Sequence, residues 1–101
     1  MRIARRRTFR SDVAAAYAFM AERNVAAAER LLDRIEEACA PLTVFPESAP
    51  TIPDLAAGLR SKPLRGFPYR LFYRIEGDLV LLLRLLHGRR NMDAGWFKEE
   101  E

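Results

Sequence analysis

The residues best equipped for chemistry lie close together near the end of the chain. His87 is followed by Gly88 and by the adjacent arginines Arg89 and Arg90. A histidine can take up and release a proton near neutral pH, and guanidinium groups bind phosphate or carboxylate through paired hydrogen bonds. This stretch therefore predicts either proton transfer beside a phosphate or simple binding of an anionic partner.

The charges of the chain are unevenly distributed, although its net charge is only +3. The first ten residues carry five arginines and no acid, whereas acids prevail between residues 11 and 47. Between residues 60 and 90 there are eight basic residues and only two acids. One part of the molecule is therefore expected to be a basic surface that suits nucleic acid or an acidic protein segment.

The composition limits the other classes of site. With 101 residues, half of them apolar, the chain can enclose one small core. The single cysteine, Cys39, cannot form an intrachain disulfide, and no Cys/His cluster accompanies His87, so we expect neither a metal nor another cofactor. The longest apolar run, residues 79–86, is interrupted by Arg84, and no apolar segment follows the basic start. We therefore expect one cytoplasmic domain over residues 1–101 with no membrane partner.

Two amphipathic helices are predicted in the first half. Residues 2–7 are typical of a short edge strand protected by arginines and ending at Thr8. From about residue 9 to 22 apolar residues recur at helical spacing, and Asn24 can cap a second helix. The apolar positions of that second helix lie along one face: Val25, Ala28, Leu31, Leu32, Ile35, Cys39 and Leu42. Because the break between the helices is short, they are expected to form an antiparallel hairpin.

Three strands are predicted in the second half. Residues 59–65 form a candidate strand that Pro63 confines to a sheet edge. Residues 69–75 alternate, a turn follows at residues 76–78, and the nearly all-apolar residues 79–86 predict a central last strand. Alternation puts Arg70, Phe72 and Arg74 on one face, a mixture typical of an interface.

These elements predict an α+β fold in the order β-α-α-β-β-β. A helical hairpin packed on a small, mostly antiparallel sheet is the economical way to bury both apolar stripes. Residues 91–101 form a C-terminal tail, which we expect Trp96 and Phe97 to order in part.

The chain resembles the RelE/ParE toxin superfamily over almost its whole length. The residues that carry the resemblance are Leu59-Arg60-Ser61, Pro63, the stretch from Tyr69 to Asp78 and the stretch from Leu82 to Arg90. The resemblance implies the toxin of a bacterial type II toxin–antitoxin system, nearer to the gyrase-poisoning ParE branch than to the RNA-cleaving RelE branch. Such a toxin inhibits DNA gyrase and growth and stabilises plasmids. It is neutralised in a hetero-oligomer by a cognate ParD-like antitoxin, a DNA-binding protein whose acidic, flexible tail folds over the toxin.

The RelE branch supplies an alternative function, a ribosome-dependent mRNA endoribonuclease. Its chemistry needs a base, an acid and cations around a phosphate attacked by a ribose 2′-hydroxyl. By resemblance, Arg65, Arg70 and Arg90 would supply the cations and His87 the acid or base.

Three departures from the RelE pattern favour the non-catalytic interpretation. Ser61 and Pro63 stand where lysines are expected, and Trp96 falls at or near the place of a tyrosine, although an indole only donates hydrogen bonds. A non-toxic homologue that only binds antitoxin is a third hypothesis.

On the ParE interpretation no residue is assigned a catalytic role. The residues expected to contact target or antitoxin are basic or aromatic and lie in the second half of the chain: Arg65, Arg70, Phe72, Arg74, Arg84, His87, Arg89, Arg90 and Trp96. Arg84 has an equal alternative, because a charge inside an apolar strand needs a partner and a structural salt bridge to a helix acid would provide one.

Overall fold

The computed structural model describes residues 1–88 and 92–97, which adopt the predicted β-α-α-β-β-β order. The elements are β1 (Arg2–Arg5), α1 (Arg7–Ala21), α2 (Val25–Cys39), β2 (Arg60–Pro63), β3 (Tyr69–Glu76) and β4 (Leu79–His87). Short 3-10 helices cover Ala40–Thr43 and Ala94–Phe97. Two residues of the predicted contact set, Arg89 and Arg90, lie outside the described residues.

The four strands form one mixed sheet in the order β1-β4-β3-β2. β4 is central, as its apolar sequence predicts, and it pairs in parallel with β1 and antiparallel with β3, while β2 pairs antiparallel with β3. The β3–β4 turn contains two residues, of which Gly77 has φ of 62°, a conformation that favours glycine. A β-bulge between Phe72 and Tyr73 leaves Leu83 as the extra residue on β4, so that Arg84 pairs with Phe72.

The first strand is shorter and the first helix longer than the sequence predicts. The amide of Arg6 donates to the carbonyl of Leu82 at 3.0 Å, and the carbonyl of Arg6 accepts the helical bond from the Arg10 amide. Residue 6 therefore ends the strand pairing and begins the helix. The prediction of a strand over residues 2–7 and a helix starting near residue 9 is wrong at this boundary.

The second helix is capped as predicted. The side chain of Asn24 accepts from the amide of Ala27 at 3.0 Å and satisfies one of the free amides of the first turn. Val25, counted in the apolar stripe, is instead 59% exposed. The hydroxyl of Tyr17 donates to Glu29 at 2.7 Å and joins the two helices.

Both faces of the sheet are covered. On one side the helices enclose the larger core with β3 and β4 through Phe9, Leu31, Ile35, Leu71, Tyr73 and Leu82. On the other side the loop before β2 and the C-terminal 3-10 helix enclose a smaller core, in which Leu59, Phe72, Leu83, Leu86 and Phe97 are buried. Phe97 is therefore part of the fold, and Trp96 packs against the same cluster.

Candidate binding surface

The two arginines of β3 lie on the sheet face opposite the helices. Arg70 donates from Nε to the hydroxyl of the buried Ser61 at 2.6 Å. Arg74 forms an ion pair with Glu76, with an Nη2–Oε2 distance of 2.8 Å. Both side chains are half-buried. Because of the bonds to Ser61 and Glu76, part of the hydrogen-bonding capacity of each guanidinium is already used within the chain.

Phe72, predicted to share an exposed face with those arginines, is a core residue. Only 2% of it is exposed, and its ring lies 5.0 Å from the ring of Phe97. The alternation of β3 was assigned correctly, but the sequence did not reveal that the C-terminal segment covers this face. The prediction that Phe72 is available for contact is therefore wrong for the chain as folded.

Arg84 takes the structural role that the sequence left open. Its Nε and Nη2 atoms donate to the two carboxylate oxygens of Asp12 on α1 at 2.7 and 3.0 Å. Its Nη1 atom also reaches the carbonyl of Trp96 at 3.4 Å. With side-chain exposures of 20% for Arg84 and 15% for Asp12, this is a largely buried, two-pronged ion pair between the helix and the central strand.

Asp12 and Thr8 also complete the edge of β4 where β1 ends. The hydroxyl of Thr8 donates to the carbonyl of Leu83 at 2.9 Å, and the amide of Leu85 donates to Asp12 at 3.0 Å. The two residues are four apart, so they lie on one face of α1 beside the same strand. The spacing of the two residues is visible in the sequence, but the strand that they contact is not, and neither role was predicted.

His87 lies at the end of β4, on the side of the sheet that the helices cover. Its ring makes an edge contact with Tyr69, its register partner, with the centroids 5.8 Å apart. Both rings line an open cleft of about 240 Å³ with Asp12 and the exposed Phe19 of α1.

Arg65 lies elsewhere, in the turn between β2 and β3. Its side chain is 78% exposed, and its Nη2 atom lies 3.2 Å from Oε1 of Glu37. The same carboxylate also forms an ion pair with Arg34. Nearby, Lys62 donates to the carbonyl of Ala38 at 2.7 Å, at the end of α2. This group of charges lies around the end of α2 and lines a different pocket from the one that His87 lines.

Of the four residues named for the nuclease alternative, Arg90 lies outside the described residues, and Arg65, Arg70 and His87 do not converge. His87 and Tyr69 lie on the helix side of the sheet, whereas Arg70, next to Tyr69 on β3, lies on the opposite side.

Two tyrosines have raised pKa values. The hydrogen bond to Glu29 raises the pKa of Tyr17, and burial raises the pKa of Tyr73. Those two phenols are therefore poor bases near neutral pH.

Within residues 1–88 and 92–97, no group of three or more His, Cys, Asp or Glu residues is arranged to hold a metal ion. The thiol of Cys39 is buried, and burial raises its pKa to about 11. The same part of the chain contains no helix with the length and apolar content to cross a membrane.

Comparison with known proteins gives a consistent result. Residues 3–92 match the family model described as the ParE toxin of the type II toxin–antitoxin system parDE. The chain is 34% identical over 94 residues to Toxin ParE3 of Caulobacter vibrioides, an alignment that covers 92% of each protein. Its fold is similar to a chain of the chromosomal ParDE toxin–antitoxin system from P. aeruginosa, with a TM-score of 0.76 and 22% identity, covering 86% of this chain and 95% of that one.

Proposed function

The chain belongs to the ParE toxin family of type II toxin–antitoxin systems, and we propose that it arrests bacterial growth by binding DNA gyrase in the cytoplasm, without catalysis of its own. A cognate antitoxin binds and neutralises it. The observation that carries this proposal is the family match over residues 3–92 together with 34% identity to Toxin ParE3 over nearly the whole chain.

The geometry supports a binding function rather than RNA cleavage. General acid–base catalysis needs the proton-transferring group and the charge-stabilising cations around one reacting phosphate. Here His87 lines the cleft beside Phe19, Arg70 is bonded to Ser61 on the other sheet face, and Arg65 lies near the end of α2. These groups cannot surround one phosphate in this conformation.

We assign target contact to the end of the sheet that carries His87 and to the C-terminal region up to Trp96. The cleft at His87 is open and contains the exposed ring of Phe19, and such aromatic groups are enriched in protein interfaces. Arg89 and Arg90 follow in the sequence and add positive charge that suits a nucleic-acid-bound target.

The proposal is tested by inducing the chain alone in bacteria and following growth, the DNA-damage response and messenger RNA integrity. Gyrase binding predicts growth arrest, filamentation and DNA damage with intact messages. With purified gyrase, the chain should reduce supercoiling or accumulate cleaved DNA. Rapid message cleavage without DNA damage would instead establish the nuclease, and an absence of arrest would indicate a homologue that only binds antitoxin.

The variant His87→Gln separates binding from catalysis. Glutamine retains a donor and an acceptor but cannot transfer a proton near neutral pH. We expect the variant to keep most of its growth arrest, because packing against Tyr69 needs no titratable group. Arrest reduced by a hundredfold or more, on the order of the usual contribution of a general acid or base, would contradict the proposal if the variant is folded.

A further inference from the structure

Three arginines of the N-terminal region can bind an additional anion. Arg7 and Arg10 are exposed, and neither has a carboxylate within ion-pair distance in the described part of the chain. The guanidinium of Arg10 donates to the backbone carbonyl of Arg5 at 3.1 Å, which leaves most of its donors for other acceptors. Arg2 has a long, exposed contact of 3.6 Å with Asp78. An anion that reaches these side chains therefore displaces no short, buried ion pair.

The fold does not account for the position of two of these cations. Arg7 and Arg10 lie in the first turn of α1, where the partial positive charge of the helix end disfavours further positive charge. This turn contains no acidic residue that would offset them. Both arginines therefore oppose the local stability of α1, and a bound anion would relieve that repulsion.

The exposed face of α1 allows a large anion to approach without repulsion. Asp12 is the one acidic residue of this helix, and its carboxylate is largely buried in the ion pair with Arg84. The exposed residues that follow Arg10 on the helix are small: Ser11, Ala14, Ala15 and Ala18. A polyanion can therefore lie against the first turns of α1 without meeting a free carboxylate of that helix or a large side chain.

The surroundings of the arginines indicate which polyanion fits. The centre of a protein interface is depleted in charge and enriched in aromatic side chains, and single-stranded nucleic acids stack their bases on such rings. The exposed ring of α1, Phe19, lies about 18 Å along the helix from Arg7. A duplex keeps its bases paired and presents phosphates, which accept paired hydrogen bonds from guanidinium groups. Arginines among small side chains therefore favour duplex DNA over a protein or a single strand.

We propose that Arg2, Arg7 and Arg10 bind the sugar–phosphate backbone of duplex DNA. Extended backbone rises about 3.3 Å per residue, so Arg2 lies roughly 16 Å from Arg7 along β1 and the extended residue that follows it. The major groove of B-DNA is about 12 Å wide, so side chains at this separation can reach phosphates on both of its sides. Phosphate contacts carry no base information, and binding is therefore independent of the DNA sequence.

The helix α1 connects this surface with the proposed gyrase contact. It begins at the arginines and passes the cleft at His87, which Phe19 also lines. A partner that itself holds DNA can therefore meet both surfaces at once. This role in gyrase poisoning rests on the proposed function, whereas binding of DNA by the chain alone does not.

The first test measures binding of the full chain to a short fluorescein-labelled DNA duplex by anisotropy, without gyrase, over a series of salt concentrations. Three phosphate contacts predict an affinity that falls about 40-fold between about 50 and 200 mM salt. A duplex of unrelated sequence should bind equally well. RNA of matching sequence should compete poorly, because a single strand lacks rings to stack on and an RNA duplex has a narrow major groove. Stronger binding of RNA, or of one DNA sequence, would overturn the proposal.

A matched pair of variants separates the arginine surface from net charge. Arg7→Gln should weaken duplex binding at low salt at least about fivefold and lower the salt slope by about 0.9, the loss of one phosphate contact. Arg30→Gln, at an exposed position of α2, removes the same charge and should change the affinity less than about twofold. Equal weakening by both would show attraction to net charge only and would refute the proposal. Arg7→Gln should unfold at the same Tm as the parent or above it, since it removes a cation from the start of α1, so its weaker binding is not a loss of folding.

Cross-linking locates the bound duplex. Because Cys39 is buried, a cysteine introduced by Ser11→Cys can be labelled selectively with a photoreactive group. Light should then attach the DNA to this position, between Arg7 and Arg10, and not to the same group placed by Ala26→Cys on α2. Equal cross-linking from both positions, or cross-linking from the α2 position alone, would contradict the assigned surface.

Gyrase inhibition is measured separately, so the two proposals can fail separately. A chain that binds DNA through Arg7 but does not inhibit gyrase would refute the proposed function alone. A chain that inhibits gyrase while Arg7→Gln and Arg30→Gln bind the duplex equally would refute the DNA contact alone.

Discussion

Removing the carboxylate of Asp12 is the most informative test of how this fold is held together. The Asp12→Ala change deletes the acceptor of three hydrogen bonds, two from Arg84 and one from the amide of Leu85. It leaves a guanidinium and a backbone amide in a largely buried place without their main acceptor. The change also removes the Asp12 links between α1 and the part of β4 that extends beyond β1, where the hydrogen bond from Thr8 to the carbonyl of Leu83 remains.

The expected cost follows from the burial of the pair. Breaking a fully buried ion pair by removing one partner costs about 3–5 kcal/mol. Arg84 and Asp12 keep 20% and 15% side-chain exposure, so water reduces the penalty, and we expect a loss of about 2–3 kcal/mol in the free energy of unfolding. For a domain of this size that corresponds to a fall in Tm of at least about 10 °C.

The measurement is urea unfolding of four proteins: the parent chain, Asp12→Ala, Arg84→Met and the double variant. The double-mutant cycle should give a coupling energy of about 1.5–3 kcal/mol, because each single change leaves the other member of the pair without its main partner and the double change removes both. Asp33→Ala, at an exposed acid of α2, is the control and should stay within about 0.5 kcal/mol of the parent. Additive effects of the two changes, or an Asp12→Ala loss no larger than that of the control, would refute the structural role.

Three further predictions concern other supports of the fold. Asn24→Ala should cost about 1 kcal/mol in urea unfolding through loss of the α2 cap, and Asn24→Asp, which keeps an acceptor, should retain most of that stability; equal losses would argue against capping. Phe97→Ala should cost about 3 kcal/mol, since the ring is buried against Phe72, and a loss below about 0.5 kcal/mol would show that the C-terminal segment adds little to the core. The buried thiol of Cys39, with its pKa raised to about 11, should react with a disulfide reagent at pH 8 only after unfolding in denaturant, and rapid reaction of the native chain would contradict its burial.

The periodic parts of the chain were predictable because hydrophobic spacing determines which face of each element is buried. The nearly unbroken apolar run of β4 indicated a strand covered on both faces, and β4 is one of the two inner strands of the sheet. Asn24 caps the helix that follows it, and Pro63 lacks the amide that a second neighbouring strand would need. Both effects are local, so the start of α2 and the edge position of β2 could be predicted without knowledge of the fold.

The contact residues were harder to predict because their roles depend on groups far away in sequence. Arg84 meets Asp12 across 72 residues, and Phe72 is covered by Phe97 across 25. No local pattern encodes such pairings, and the bulge at Leu83 additionally shifts the alternation of β4 relative to β3. The sequence therefore indicated which side chains are able to bind an anion but not which are already used inside the molecule.

This distinction relocates the surface available to an anionic partner. The sequence predicts the arginines of the hairpin as contact residues, yet Arg70, Arg74 and Arg84 each have a short bond to a side chain of the chain itself. Arg7 and Arg10 in the first turn of α1 have no such carboxylate partner within the described residues, and they flank an open strand and an apolar groove. Since a guanidinium that is already paired gains little from a second carboxylate, Arg7 and Arg10 keep more of their capacity to bind an anion than the arginines of the sheet face do.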